Sequence, residues 1–413
     1  MNINYKDIVV IVMTAISISG CKNSPEVLDT FLNVPEYQID LEFEPTGENN
    51  EIKVSLDHIF KEDDIEYISL KPTAEGDGLL RMPVAFYSIG QNWLVYDPRN
   101  KKSSALFFDK DGNFFKYIGA KGNGPGEYIA TSLCKINREQ KRIELVDGGT
   151  NKILFFDFNG QFIKSIPLPL LFSDFIRDPY EEGYYLYTLD NFNTGYMKDY
   201  GLENDYVLTK TDSTFRPQFG IEEIISHSDV IPYRNNGNKL FHYENEIGFI
   251  NNYSNDLYLI KHNKIESLIS FNIEGINFQP KDYIKNADGN RFLATLEKGY
   301  SFVGDLSISE NKLLEYIMVS SPDPNRRYDP VFLYYDLDNK NYTFYSALED
   351  SSDTYTIGEF YLHPLSSSYD AFAMIQPKDI EEMEGSSSPV RQKIEAMLKE
   401  NRNNPIIARL KFK

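Results

Sequence analysis

Short apolar runs broken by turn residues recur along most of this chain. Residues 105–118 read ALFFDKDGNFFKYI, and residues 153–166 read ILFFDFNGQFIKSI. Phe107-Phe108-Asp109 returns as Phe155-Phe156-Asp157, Gly112 as Gly160, Phe114 as Phe162 and Ile118 as Ile166, each pair 48 residues apart. Asp-Gly between two apolar runs predicts a tight hairpin, because glycine accepts the positive φ such a turn demands. A period of about 40–50 residues built from short strands is the pattern of a β-propeller blade.

The same rhythm divides the rest of the chain. Blade one spans residues 81–118, with strands at 82–89, 92–96, 105–108 and 114–118. Blade two spans 132–166, with strands at 133–136, 143–146, 153–156 and 162–166. Blade three takes 174–177, 184–189, 206–210 and 215 onward, with an insertion at 191–202. Blade four takes 240–242, 247–250, 256–261 and 264–271, after which residues 278–297 break the pattern. Blade five takes 300–307, 312–320, 331–336 and 341–347, and its Tyr334-Tyr335-Asp336 echoes the Phe-Phe-Asp motif. Blade six starts with strands at 356–362 and 371–376. Ser388-Pro389 then caps a predicted helix over 390–401, with Ile394, Met397 and Leu398 on one side. Residues 406–413 alternate again, as do 51–60 and 65–70. A last strand with no hairpin partner after it predicts pairing with an N-terminal strand, which closes the ring and removes its exposed edges. The predicted fold is all-β: a six-bladed β-propeller over residues 46–413, with four-stranded antiparallel blades, a short C-terminal helix and a closing strand.

The first residues follow another logic. Residues 8–18 are an eleven-residue apolar run, too short to span a bilayer but suited to a signal-peptide core. The run ends Ile18-Ser19-Gly20-Cys21, an aliphatic residue and two small ones before a cysteine, although the leading MNINYKD carries little positive charge. This resembles a bacterial lipobox. The resemblance implies a signal peptide over 1–20, cleavage before Cys21, acylation (a palmitate-type anchor) of Cys21, and a polar tether over 21–45.

Composition narrows the partners. The net charge of −20 disfavours nucleic acid, and no basic stretch interleaved with aromatics offsets it. The two cysteines give no disulfide framework: with Cys21 lipidated, Cys134 is left as a small apolar residue of a strand. The five histidines, His58, His227, His242, His262 and His363, show no local metal spacing, and no metal or cofactor is expected. The loop at 109–120 lacks the sixth-position glycine and twelfth-position glutamate of a calcium hand.

Taken with these residues, the chain resembles a family of bacterial six-bladed β-propeller lipoproteins, NHL-like in character and common in Bacteroidetes. The features that carry the resemblance are the lipobox at Cys21, the repeats Phe108-Asp109 to Gly112 and Phe156-Asp157 to Gly160, the GNGPGEY loop at 122–128, and the closing Asn404-Pro405-Ile406-Ile407. The resemblance implies a cell-envelope propeller anchored by lipid, on the outer membrane, and implies no particular activity.

Candidate chemistry is sparse. The GNGPGEY loop is flanked by strands, so it lacks the strand–turn–helix setting of a phosphate-binding loop. It reads as a crossing between blades, which would bring Glu127 and Tyr128 to the channel mouth. The beginnings of inner strands supply the other candidate rim residues: Arg81, Arg177, His242 and His363. Arg326-Arg327-Tyr328 in a blade-five loop could grip an anion, but a solvated loop is the favoured reading. Two functions fit: a binding module for a glycan, peptide or protein partner, or a lyase or hydrolase with its site at the channel mouth. An enzyme requires at least three of the six rim candidates to converge.

Overall fold

The computed structural model describes residues 37–42, 53–188, 193–202, 206–223, 239–243, 246–251, 256–261, 264–274, 300–302, 307–309, 311–320, 328–349, 356–357, 360–361, 371–375, 389–401 and 404–413. Residues 1–36, and with them the signal-peptide and lipid-anchor expectations, lie outside this set. So do Arg326, Arg327, His363 and the segment 278–297.

Six antiparallel sheets follow one another along the chain. Blade one is Ala85–Ile89, Asn92–Tyr96, Ala105–Phe108 and Phe114–Ile118, and blade two is Thr131–Asn137, Arg142–Asp147, Lys152–Asp157 and Phe162–Pro167. Blade three is Asp174–Arg177, Tyr184–Tyr187, Tyr206–Thr211 and Pro217–Glu223. Blade four is Leu240–Tyr243, Glu246–Asn251, Asp256–Lys261 and Lys264–Glu274. Blade five is built on Lys312–Ser320, Tyr328–Asp336 and Asn341–Tyr345, with Tyr300–Phe302 and Ser307–Ser309 both pairing with its long strand. Blade six joins Phe360–Tyr361, Ala371–Ile375 and Ile406–Leu410 to Glu66–Ser69 from the other end of the chain. The closing strand thus has the N-terminal partner that its sequence position requires.

The second and third strands of blades one to three are buried on both faces, so they read as continuous apolar runs rather than strict alternations. Among the described residues the buried apolar side chains form six clusters, one between each pair of neighbouring blades, including blades six and one. The doubled aromatics explain the repeat. Phe107 fills the one–two interface and Phe108 the six–one interface, while Phe155 fills two–three and Phe156 one–two. Each ring buried in this way stabilises the ring of blades by about 2–3 kcal/mol. The aspartate that follows then turns the chain. Asp109 Oδ1 accepts the N–H groups of Asp111 and Asn113, and Asp157 Oδ1 those of Asn159 and Gln161.

Two segments depart from the sequence reading. Tyr37–Glu42, expected in the tether, forms a fifth strand parallel to Lys264–Glu274 on blade four, where Ile39 and Leu41 are buried in the four–five cluster. Residues 51–60, expected as a strand, give only Lys53–Ser55 before the short helix Leu56–Ile59. The i, i+3 pair Leu56 and Ile59 places both side chains in the five–six cluster, which a strand would split between two faces. The predicted C-terminal helix forms at Pro389–Glu400 and lays Ile394, Met397 and Leu398 on that same cluster.

Candidate functional site

The cross-strand register of blade two lines up four side chains. Lys135 stands opposite Glu144, Glu144 opposite Phe155, and Phe155 opposite Lys164. Directly opposed residues share one face of a sheet, and here that face is turned towards blade three, where Phe155 is buried. Arg142, two residues before Glu144, shares the face. Its guanidinium carbon lies 5.6 Å from the Phe155 ring centre, and the Lys164 ammonium lies 5.5 Å from it. The ring therefore seats two cations by cation–π attraction. Blade three adds Arg177 and, opposite it, Tyr184. Arg142, Phe155, Lys164, Arg177 and Tyr184 line a cleft of about 200 Å³ rimmed by Gln140, Glu182 and Ser213. Arg177 also pairs with the exposed carboxylate of Glu139.

Glu144 lies beside this cleft, 2% exposed. Asn137 Nδ2 donates to its Oε1 at 3.3 Å and the Tyr184 hydroxyl donates at 3.4 Å. Burial pushes its carboxyl up to about 7, against the pull of these hydrogen bonds and of Arg142 and Arg177. Lys135 leaves the row to meet Asp174 Oδ1 of blade three at 2.7 Å. The other oxygen of Asp174 accepts the N–H groups of Lys239 and Leu240 at 2.8 and 2.9 Å, where blade four begins. Asp174 thus ties three blades together near their inner strands.

The structure separates the rim candidates. Arg177 belongs to the cleft just described. Arg81 lines a different cleft on blade one. His242 lies on the inner strand of blade four and keeps a solvent-exposed edge. Protein crowded around its imidazole, and then the charge of Lys135, hold its pKa below the usual range. Glu127 accepts the Gly124 N–H at 2.7 Å, within its own loop. Tyr128 is not a rim residue: it is fully buried, and its hydroxyl meets Ser103 Oγ at 2.7 Å and the Ser104 N–H at 2.5 Å. The loop before it crosses from the outer strand of blade one to the inner strand of blade two and passes the outer strand of blade two on the way, where a Cβ on Gly126 would lie 3.1 Å from that of Phe162. None of the five described candidates hydrogen-bonds another. The sequence reading missed Arg142 and Lys164. The signal for them was the strand register, since Arg142, Phe155 and Lys164 fall on one face once the hairpins are aligned.

A family model described as Domain of unknown function (DUF4934) matches residues 36–411. The chain belongs to the DUF4934 family. The matched span runs from one residue before Tyr37–Glu42 to one past Ile406–Leu410, so the DUF4934 unit includes both strands contributed by the chain ends. No curated protein matches the chain. Among solved structures it is similar to a Bacteroides fragilis NCTC 9343 protein named as exported, at 16% identity and a TM-score of 0.66, over 91% of this chain and 100% of that one. A DUF4221 family member from Bacteroides vulgatus ATCC 8482 aligns at 10% identity and a TM-score of 0.47, over 86% and 99%. At 16% identity the first likeness speaks for the fold of this DUF4934 protein alone.

Proposed function

We propose that this propeller is a cell-envelope binding module that grips an acidic group of a glycan, peptide or protein partner between blades two and three. The observation that carries this reading is the convergence of Arg142, Lys164 and Arg177 on one cleft in a chain of net charge −20. Arginine presents a planar fork that matches a carboxylate, and Phe155 seats Arg142 and Lys164 before any ligand arrives. The cleft, at about 200 Å³, is smaller than the roughly 300–1,000 Å³ of sites that engulf whole small molecules. It suits one acidic terminus of a larger partner: a hexuronate unit or an aspartate or glutamate side chain. The Ile18-Ser19-Gly20-Cys21 pattern, and the name of the B. fragilis relative as exported, support an envelope location. A lipid on Cys21 is the proposed anchor, with residues 22–35 as the tether, because the family match begins at 36.

A thermal-shift screen of acidic glycans and acidic peptides tests the ligand class. A ligand at a hundred times its Kd adds about 2.7 kcal/mol, and the shift should disappear in Arg142→Ala. For the anchor, Cys21→Ala protein should leave the membrane fraction. Retention there would overturn the lipid assignment.

A further inference from the structure

Blade one carries a second cationic cleft at the opposite end of the ring. Arg81, Arg99, Lys101 and Lys121, with Pro98 and Asn100, line an open space of about 590 Å³. Arg81 precedes the inner strand of blade one, residues 98–101 follow its second strand, and Lys121 follows its outer strand. The cleft between blades two and three is built instead from the turns at the other strand ends, through Gln140, Glu182 and Ser213. Neighbouring strands are antiparallel, so the two clefts open on opposite faces. All four cations of blade one are exposed. Nearby Lys102 is neutralised by Asp77, whereas among the described residues none of the four has a carboxylate partner.

Buried polar groups hold the segments that carry these charges. Asp97, fully buried, accepts the N–H groups of Arg81 at 2.6 Å, Met82 at 3.2 Å and Arg99 at 3.1 Å. Asn100 donates from Nδ2 to the Leu79 carbonyl at 2.8 Å. Lys121 donates its N–H to the Lys102 carbonyl, and its short strand pairs with Glu127–Tyr128, which Ser103 and Ser104 hold through the Tyr128 hydroxyl. Blade two builds the same corner with neutral residues at two of the four cation positions, and the nearby cation Lys152 lies 3.8 Å from Asp147. There Asp147 accepts the N–H groups of Ile129, Ala130 and Gly149 at 3.2, 3.0 and 3.1 Å. Ile129 stands where blade one has Arg81, and Gly149 where it has Arg99. The fold therefore does not require cations at these positions. Four uncompensated, pre-positioned cations around a cleft this wide match a ligand with several oxyanion groups.

We infer that the blade-one cleft is a second binding site, which takes a compact ligand bearing two or more sulfate or phosphate groups. Sucrose octasulfate and uncharged sucrose share one skeleton and differ in the charge that the site reads. Isothermal titration into the full-length protein is expected to show binding of the octasulfate, weakening as salt rises, and none of sucrose. The exposed double variant Lys101→Glu/Lys121→Glu should bind at least about tenfold more weakly, with an unchanged melting temperature. Lys164→Glu, in the other cleft, should bind as wild type does. No binding by wild type, equal binding by the double variant, or a loss in Lys164→Glu as large as that in the double variant would overturn the assignment. The cleft between blades two and three is tested separately, by its own acidic ligands.

Discussion

Glu144 is the residue whose surroundings leave the clearest thermodynamic mark. Its carboxyl titrates near 7 in the folded protein but near 4.3 in an unfolded chain. Between those values the unfolded chain releases a proton that the folded one keeps. This group therefore favours folding fully only at low pH, and that contribution is lost as pH rises through about 4.5 to 7. A shift of this size corresponds to roughly 3 kcal/mol. Glu144→Gln copies the neutral acid and cannot ionise. Urea unfolding of both proteins across pH 4 to 8 should show them equal at pH 4 and the variant more stable by roughly 3 kcal/mol at pH 8. Parallel profiles would mean that Glu144 ionises as freely in the folded protein as in the unfolded one. Sequence alone could not single out this residue among 62 acidic ones, because its burial arises where two blades meet.

At the scale of the element, the Phe-Phe-Asp-x-x-Gly hairpin was legible because local chemistry specifies it. Its glycines take positive φ, 78° at Gly112 and 71° at Gly160. Blade three repeats the turn in disguise. Asp212 Oδ1 accepts the N–H groups of Thr214 and Arg216, and Phe215 takes φ 64° in the glycine position. The ring of Phe215 stacks on Tyr184 at 4.5 Å between centres, which offsets the strained backbone. No glycine marks that turn in the sequence, so the repeat faded there. Closure of the ring was legible from an unpartnered last strand, but its clasp was not. Asn404, 1% exposed, donates to the carbonyls of Leu70 at 2.9 Å and Gly78 at 3.0 Å and accepts the Leu80 N–H at 2.9 Å. These partners lie more than 300 residues away in sequence. Asn404→Leu leaves two buried carbonyls and the half-buried Leu80 N–H unpaired, at about 1–3 kcal/mol for each buried group. The urea midpoint should fall by the equivalent of about 3 kcal/mol or more with an unchanged slope. A loss under about 1 kcal/mol would show that water replaces the clasp.

The whole molecule sets a closed ring of six apolar interfaces against a surface of net charge −20. Among the described residues, two clefts lined by several cations face opposite ways on that surface. The ring was readable from strand rhythm because the middle strands of the blades serve two neighbouring cores. The clefts were not, since each gathers cations from segments tens of residues apart. The one candidate that the sequence placed in the blade-two cleft, Arg177, was chosen for its position at an inner strand. Binding at that cleft is tested most directly by one titration: an oligoglucuronate added to wild type and to Lys164→Glu, at low and at physiological salt. The account predicts saturable binding by wild type, weakened by salt and reduced at least about tenfold by the charge reversal. Binding of equal strength by both proteins would contradict it.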